Sequence, residues 1–377
     1  MSQIAPDNIS EHRLSQRILL LLSKALDQLI VPVVSVLIAL AVGALLMLTI
    51  GIDPWNAYTQ LWAGIAESKY QVGIVLIKAT PLILAGLGLG LAFRSGVFNI
   101  GAEGQLYIGA LAGTAIGIQD WGLPSALHIL LVLMAAFLAG GLWAAFAGFL
   151  KAKFQVNEVI TTILLNYIAI FLVSYFTHGP MRDNPDAAAS LPHTPEVLLT
   201  ARMPMIWEGT RLHAGFLVAL LAAAIIYFLI FHTSFGFKAR AVGFSPSAAY
   251  YAGMKVIPVV VLAMLVSGGL AGVAGMVEVM GVQRRLRDMF SPGIGYTAIA
   301  IALLGQNNPI GIVLAGILFG ALEAGANNME ALAGVPATIA DVIQAVVIFM
   351  VAIGVVWRSD WVRGWVAARF SREERDK

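Results

Sequence analysis

The 377-residue sequence contains no cysteine and little charge, and both shortages restrict what the chain can be. Without a thiol it has no disulfides, no cysteine-bound zinc or iron–sulfur cluster and no cysteine nucleophile. Charged residues make up only 12% of the chain, whereas hydrophobic residues reach 59%. Soluble domains carry about twice this share of charge. A chain with a mean hydropathy of +0.85 therefore requires lipid as its solvent, and a soluble enzyme or a nucleic-acid-binding domain is excluded.

The motifs of familiar active sites are missing as well. The sequence has no G-x-x-x-x-G-K-[ST] loop for nucleotide phosphates, no G-x-S-x-G nucleophile turn and no H-E-x-x-H zinc motif. None of its six histidines lies four residues from another, so no helix presents a histidine pair to a metal. We therefore expect neither a catalytic site nor a metal site in this chain.

Long apolar stretches are what the sequence has in abundance. A helix needs about 20 apolar residues to cross the hydrocarbon core of a bilayer. Such stretches predict an all-α integral membrane protein with about ten transmembrane helices in a transmembrane domain that covers 29–357. The ten predicted spans are 29–51, 72–93, 97–118, 124–149, 157–177, 213–232, 257–281, 295–305, 310–327 and 336–357.

The distribution of lysine and arginine predicts the orientation of these spans. Most of the 23 basic residues fall in cytoplasmic segments if both termini lie in the cytoplasm. Segment 1–28 then reads as an amphipathic cytoplasmic segment, 358–377 as a cytoplasmic tail, and the proline-rich segment 178–212 as a periplasmic loop. The basic loop 282–294 falls outside, against the rule, so either the eighth span is miscounted or this loop meets an acidic partner.

Glycines recur at helical spacing and suggest an internal repeat. Two segments, beginning at Gly88 and Gly281, share an apolar span, a charged break and a glycine-rich start of the next span, and they run in opposite directions. This organisation predicts an inverted repeat between 72–177 and 257–357, with a pathway at its interface. Four-residue spacing also allows close helix packing; it occurs at Gly86/Gly90, Gly109/Gly113/Gly117, Gly268/Gly272 and Gly316/Gly320.

Ionisable residues inside spans are costly and therefore candidate functional residues. Lys78 either lines a pathway, pairs with Glu278, or extends its ammonium group to the outer interface. Glu103 either caps a broken helix or bonds a substrate. Glu323 and Asp341 contact either a neighbouring helix or the pathway. The spans contain no ladder of acidic and histidine residues of the kind that proton-coupled carriers use.

The cytoplasmic segment 233–256 contains a short helix of its own. Ser245 followed by Pro246 is typical of a helix start, and Gly253 of a helix end. Small residues at Ala248, Ala249 and Ala252 give this helix a face suited to close contact. We expect the segment to serve either as a docking site for another protein or as a solvated connector.

Four segments together resemble the permease subunits of bacterial ABC importers, in the superfamily of branched-chain amino acid and simple-sugar permeases. The resemblance covers about 72–357 and is strongest to the nucleoside importer permeases. The segments that carry it are FNIGAEGQ (98–105), NEVITTILLNY (157–167), FKARAVG (237–243) with Ala248, Ala249 and Gly253, and GIGYTAIA (293–300) with Leu304 and Gly305.

The resemblance implies a type II importer permease fold in the bacterial inner membrane. It implies a pair of permease chains, which are more often two different chains than two copies of one chain. It also implies two ABC ATPase subunits on the cytoplasmic side and an extracytoplasmic binding protein. ATP would be hydrolysed on the ATPase partner, so this chain is expected to bind no cofactor and to be no enzyme itself.

The resemblance also locates candidate residues, because its motifs fall on polar positions of the spans. The expected substrate pathway residues are Asn99, Glu103, Gln105, Asn157, Glu158, Asn166 and Lys78. The expected ATPase-coupling residues are Phe237, Lys238, Arg240, Gly243, Ala248, Ala249 and Gly253.

The cargo stays open at this point between nucleosides and two alternatives with the same architecture, a simple sugar such as ribose or a purine-type base. A secondary carrier is a further alternative and would act without an ATPase. A membrane-embedded enzyme would need a polar cluster with metal or nucleophile spacing, which the sequence does not contain.

Overall fold

The computed structural model describes residues 34–183 and 192–357. The expected cytoplasmic segments 1–28 and 358–377 lie outside the described residues. Within the described ranges the chain forms thirteen α-helices. They are α1 (Val34–Thr49), α2 (Pro54–Ala66), α3 (Lys69–Arg94), α4 (Ala102–Gly117), α5 (Ser125–Phe154), α6 (Glu158–His178), α7 (Gly215–His232), α8 (Ser234–Phe244), α9 (Pro246–Tyr251), α10 (Val256–Glu278), α11 (Ile294–Leu304), α12 (Pro309–Ala333) and α13 (Ala337–Trp357).

Each of the ten predicted spans corresponds to one of these helices, which confirms the all-α membrane architecture. Six helices of the described residues are long and apolar enough to cross a membrane: α3, α5, α6, α7, α10 with its π-helical continuation over Val279–Gln283, and α12. The chain also forms α2, which the search for apolar stretches did not predict.

Helices α4 and α11 correspond to predicted spans but are too short to cross the bilayer alone. Helix α4 has 16 residues and α11 has 11, and at 1.5 Å per residue they measure about 24 and 17 Å. Each follows a long helix and an irregular segment, 95–101 before α4 and 284–293 before α11. They are therefore discontinuous helices, which begin at the end of a non-helical stretch.

Close backbone packing joins α10 to α5 and α4. A Cβ atom on Gly140 of α5 would lie 2.5 Å from the carbonyl oxygen of Gly268 on α10. A Cβ atom on Gly109 of α4 would overlap the backbone of Gly272 on α10. The glycine spacing noted in the sequence thus serves helix packing, because only glycine lets these backbones approach.

The same arrangement recurs around α3, which packs against α12 and α11. A Cβ atom on Gly316 of α12 would lie 2.5 Å from Cγ1 of Ile83 on α3, and one on Gly86 of α3 would lie 3.4 Å from Cγ2 of Ile301 on α11. Helices α3, α4 and α5 thus correspond in chain order and packing to α10, α11 and α12. This reciprocal pattern agrees with the inverted repeat expected from the sequence.

The described chain divides into two compact units. One comprises 58–332 and contains both sets of corresponding helices, and the other is described over 34–57 and 333–357. In the larger unit α3 and α10 are the most buried of the six long helices, whereas α6 and α7 are the most exposed. The centre of this unit is therefore the crossing of α3 and α10, where a Cβ atom on Gly88 would lie 2.5 Å from the carbonyl oxygen of Ser267.

Candidate functional site

The N-termini of the two discontinuous helices meet in the larger unit. The Glu103 carboxylate, in the first turn of α4, accepts a hydrogen bond of 2.7 Å from the backbone N–H of Gly295 in α11. A Cβ atom on Gly295 would lie 2.6 Å from Cα of Glu103, so the two backbones are in direct contact. Helix N-termini carry partial positive charge and unpaired N–H groups. The Glu103 carboxylate supplies a negative charge and a hydrogen-bond acceptor at the start of α11. Of its two expected roles, the structure therefore shows the capping role.

The side-chain hydrogen bonds of Asn99 hold the irregular segment before α4 in place. Its side-chain amide pairs with that of Gln105 through two hydrogen bonds of 3.0 and 2.9 Å. Its Nδ2 also donates to Oγ of Ser267 on α10 at 3.0 Å, and its Oδ1 accepts from the N–H of Gly101 at 2.9 Å. Because an amide has two N–H donors and two lone pairs on its oxygen, Asn99 has used its full hydrogen-bonding capacity.

Asn166 of α6 caps α4 from outside. Gly101, the residue that precedes α4, provides no side-chain cap. Asn166 replaces it, because its Oδ1 accepts from the N–H of Gly104 at 2.8 Å. Its Nδ2 donates to the carbonyl oxygen of Ile100 at 2.9 Å and to the hydroxyl of Tyr296 on α11 at 3.2 Å. One side chain thereby connects α6 with both discontinuous helices.

Together these groups form three adjacent sets of hydrogen bonds around the starts of α4 and α11, which we call the polar latch. The latch includes four of the residues that the sequence placed on the substrate pathway, each at most 2% exposed. Asn99 and Gln105 bond to each other, whereas Glu103 and Asn166 bond to backbone N–H groups of α11 and α4, so direct contact with a cargo would require the latch to open. The latch consists of Asn99, Glu103, Gln105, Asn166, Ser267 and Tyr296.

The structure does not bring Asn157 and Glu158 to the latch. Asn157 caps the N-terminus of α6 by accepting from the N–H groups of Val159 and Ile160. Glu158 pairs with Lys151 at 2.8 Å. Asn166 lies eight residues further along α6, which corresponds to about 12 Å. The N-cap preference of asparagine was the signal that pointed to this local role.

Lys78 lies in a separate pair of charges. Its Nζ is 2.8 Å from Oε1 of Glu323 on α12, and both side chains are about one third exposed. The hydrogen-bonded partner is thus Glu323 rather than Glu278, whose Oε1 accepts from Nε2 of Gln283 at 3.4 Å. A charged pair on α3 and α12, within the apolar region, is a candidate for a water-filled part of the pathway.

Segment 233–256, which the sequence predicts to be cytoplasmic, folds as two consecutive helices, α8 and α9. Oγ1 of Thr233 accepts from the N–H of Gly236 and begins α8. Oγ of Ser245 accepts from the N–H of Ala248 and begins α9, whose first residue is Pro246. The helix start predicted from the sequence is therefore confirmed, and α8 adds a helix that the sequence analysis had not separated.

The coupling candidates divide between two faces of this segment. Ala249 is 3% exposed and belongs to a hydrophobic core with Val97, Ala239, Val242 and Met264. Its expected role in ATPase coupling stays a prediction, and Ala249 also contributes to the lining of the groove described below. The side chains on the opposite face are exposed, and they are Phe237, Lys238, Phe244, Ala248, Tyr250 and Tyr251, with Gly253 beyond them.

A groove of about 510 Å³ lies on the exposed face. Its two helical walls are apolar, and the guanidinium-bearing Arg240 contributes to its lining. Phe244 and Tyr251 beside it are 95% and 89% exposed. Aromatic groups in such an arrangement are typical of surfaces that bind another protein. The groove is lined by Phe237, Arg240, Ala241, Phe244, Ser245, Ala248, Ala249, Ala252 and Met254.

At the other ends of α7 and α10, the segments around Glu196 and Arg284 are bonded to each other. The N–H of Val197 donates to the carbonyl oxygen of Arg284 at 2.8 Å. Glu196 accepts from Arg285 at 2.6 Å and from Arg202 at 2.5 Å. The hydrogen bond from Arg285 in particular, together with the charge of both arginines, holds the pKa of Glu196 below its usual range. The basic loop 282–294 therefore has an acidic partner within its own chain.

Sequence reasoning missed three residues that complete these sites. Ser267 and Tyr296 belong to the latch, and Arg94 donates from Nε to the carbonyl oxygen of Asn307 at 2.6 Å. Tyr296 lies inside the quoted GIGYTAIA segment, which was a usable signal. Ser267 is an ordinary small residue among glycines, and its role depends on a tertiary contact.

Comparison with known proteins identifies the same class. A family model for the permease component of branched-chain amino acid transport systems matches residues 71–352. The guanosine ABC transporter permease NupP of Bacillus subtilis is 42% identical over 87% of this chain and 94% of its own. The glucose ABC transporter permease TsgB13 of Haloferax volcanii is 39% identical over 84% and 85%. The nucleoside ABC transporter permease NupB of Lactococcus lactis is 32% identical over 86% and 91%. No solved structure matches the chain.

Proposed function

The chain belongs to the family of branched-chain amino acid transport permeases, and on that premise we propose that it is the permease of an ATP-driven nucleoside importer. The observation that carries the nucleoside cargo is the 42% identity to a guanosine permease over 87% of this chain. A permease of this family is a multi-pass protein of the bacterial inner membrane that works with ABC ATPase subunits and a binding protein.

We propose that the ATPase subunits dock on the exposed face of α8 and α9. The support is a groove with Arg240 in its lining, surrounded by exposed aromatic side chains, on a segment that the two long helices α7 and α10 hold at either end. In this proposal both termini lie in the cytoplasm and the loops around Glu196 face the binding protein. Because the phosphate-binding loop is missing from this chain, ATP belongs to the partner.

The substrate pathway would form between this chain and a second permease, which we propose to be a different chain, as in the nucleoside importers it resembles. Alternate opening to either side would carry the cargo. Lys78 with Glu323 offers charged groups that are already partly exposed. The latch offers amide groups, which can both donate to and accept from a base or a ribose, but only after α4 and α11 move apart.

Uptake of labelled adenosine and uridine tests the proposed cargo. Cells that express the chain with its partners should accumulate label, and cells with only this gene deleted should not. Unlabelled guanosine should compete with the label, whereas ribose and glucose in the same excess should not. Re-expression of the wild-type chain in the deletion strain is the matched control.

A sugar is the second candidate cargo, because the glucose permease is 39% identical over a comparable length. It predicts the reverse competition: loss of glucose or ribose uptake in the deletion strain with unchanged nucleoside uptake. That result would refute the nucleoside cargo. Uptake by this chain alone, without ATPase subunits, would refute the importer itself.

A further inference from the structure

We infer that residues 94–101, which we call the strap, carry the movement of α8 and α9 to the N-termini of both discontinuous helices. Gly243 is the contact through which the strap receives this movement, and Arg94 is the residue that passes it to α11. Both are positioning residues for transport. The inference rests on the proposed importer function, but not on which cargo is carried.

The first step is a backbone contact between α8 and the strap. A Cβ atom on Gly243 would overlap the carbonyl oxygen of Arg94 and would lie 2.9 Å from the N atom of Gly96. In the other direction, a Cβ atom on Gly96 would lie 3.0 Å from Cα of Gly243. No flexible side chain separates the two segments, so a shift of α8 toward the strap must displace the strap.

The second step connects the strap to the far end of α11. Nε of Arg94 donates to the carbonyl oxygen of Asn307, in the turn between α11 and α12, at 2.6 Å. The guanidinium groups of Arg94 and Arg240 lie 5.2 and 5.5 Å from the ring centre of Phe231, at the end of α7. Both distances are within the range of cation–π attraction. Arg94 thus joins the strap, the α11–α12 turn and the end of α7. Segment 233–256, which we call the coupling segment, begins at this end of α7.

The third step leads from the strap into the latch. Val97 is buried in the same hydrophobic core as Val242 of α8 and Ala249 of α9. Two residues further, Asn99 is bonded to α10 through Ser267, and Ile100 accepts from Asn166. The strap then becomes α4, whose Glu103 binds α11. The strap therefore touches the coupling segment at one end and holds the latch at the other.

These contacts favour the strap, which begins at the last residue of α3, over the full lengths of the long helices as the mechanical connection. Helix α10 also runs from the coupling segment, but it is packed along α5 through glycine contacts that leave it little room to slide. Helices α4 and α11 are short and begin at irregular segments, where a small displacement changes their direction. Coupling through packed contacts needs such an element with two arrangements, and the two short helices are the candidates.

The experiment measures movement of α11 directly. The chain has no cysteine, so spin labels can be placed at Leu142→Cys on α5 and Leu303→Cys on α11, two exposed leucines outside the latch and the strap. The distance between the labels is measured in the assembled importer, first without nucleotide and then trapped with ATP and vanadate. In the otherwise wild-type chain we expect this distance to shift on trapping.

Two variants then test the route. Gly243→Ala pushes a methyl group into the strap, and Arg94→Met keeps the aliphatic stem but loses the guanidinium group. We expect both to abolish the shift while the importer still hydrolyses ATP, and uptake to fall at least tenfold. Arg94→Lys should restore part of the shift, because it restores the cation beside Phe231. Gly122→Asn, a glycine with nothing within 4 Å of an added Cβ atom, is the control and should keep both shift and uptake.

Each outcome decides between explanations. A normal shift in Gly243→Ala and in Arg94→Met would overturn the inference, since movement would then bypass the strap. If Gly243→Ala fails to assemble with the ATPases, Arg94→Met with its lysine rescue gives the decision alone. If the importer proves to carry a sugar, the nucleoside cargo fails, but the label distances still test the strap.

Discussion

Asn99 and Asn157 form a matched pair, because both were placed on the substrate pathway yet only Asn99 belongs to the latch. Replacing each with alanine removes the same side chain from two different environments. Asn99 is fully buried, whereas Asn157 is an exposed helix cap. We predict that Asn99→Ala destabilises the permease several times more than Asn157→Ala.

The magnitude follows from the bonds that each side chain makes. Asn99→Ala removes four hydrogen bonds, two with Gln105, one with Ser267 and one with the N–H of Gly101. At about 1 kcal/mol for each bond, the loss amounts to about 4 kcal/mol. Asn157→Ala removes one helix cap, which costs about 1 kcal/mol.

Thermal unfolding of the purified importer, followed in detergent, measures this difference. The midpoint should fall much further for Asn99→Ala than for Asn157→Ala, and nucleoside uptake should fall with it at growth temperature. Equal midpoints for the two variants would refute the latch as a structural element. Normal stability of Asn99→Ala together with lost uptake would return Asn99 to the role of a cargo contact.

Three further predictions concern the proposed docking face, the core beneath it and the loops around Glu196. Tyr251→Ala should reduce co-purification of the ATPase subunits at least tenfold, because the exposed ring lies on the proposed docking face, whereas Tyr175→Ala on α6 should not. Ala249→Leu should lower the unfolding midpoint by overpacking the core, at a cost of about 1–3 kcal/mol, and retained stability with selective ATPase loss would contradict this. Glu196 has a lowered pKa, so its ion pairs stabilise the loops above its usual pKa and are lost as the pH falls through the lowered value. The protection factor of the Val197 amide, which corrects for the intrinsic pH dependence of hydrogen exchange, should therefore fall on acidification, and Glu196→Gln should remove that pH dependence.

Much of the fold was predictable because membrane spans can be recognised in a sequence by their length and apolar composition. The two discontinuous helices were also accessible, since glycine-rich starts at Gly101 and Gly293 interrupt the apolar pattern. The extent of α4 was not, because residues 97–101 are as apolar as the helix that follows them. Hydropathy measures transfer to lipid and does not distinguish a helix from a buried irregular segment whose backbone is bonded elsewhere.

The candidate site was predictable in its members but not in its arrangement. Glu103 stood out as an ionisable residue within a span, which is costly unless it is paired, and the resemblance to the permease family pointed to Asn99 and Asn166. Their partners could not be read from the chain, since Glu103 meets Gly295 and Asn99 meets Ser267 across more than 160 positions. The coupling role of Ala249 stays a prediction, because a small residue suits a docking face and a tight core equally well, and Ala249 belongs both to the core and to the lining of the groove.

The position of Glu103 follows from the contact between two helix starts. The starts of α4 and α11 lie against each other, and each start carries about half a positive charge and unpaired N–H groups. Two such ends cannot lie in contact within an apolar unit unless an acceptor with negative charge stands between them. Glu103 supplies it on one helix, Asn166 supplies a neutral acceptor for α4 from α6, and Gly295 lets the backbones approach. Any motion that separates α4 from α11 must break the bond from Gly295 to Glu103 and replace it, and water or a cargo with hydrogen-bond donors could take that place. The group that stabilises the closed arrangement is therefore also the group that becomes available when it opens.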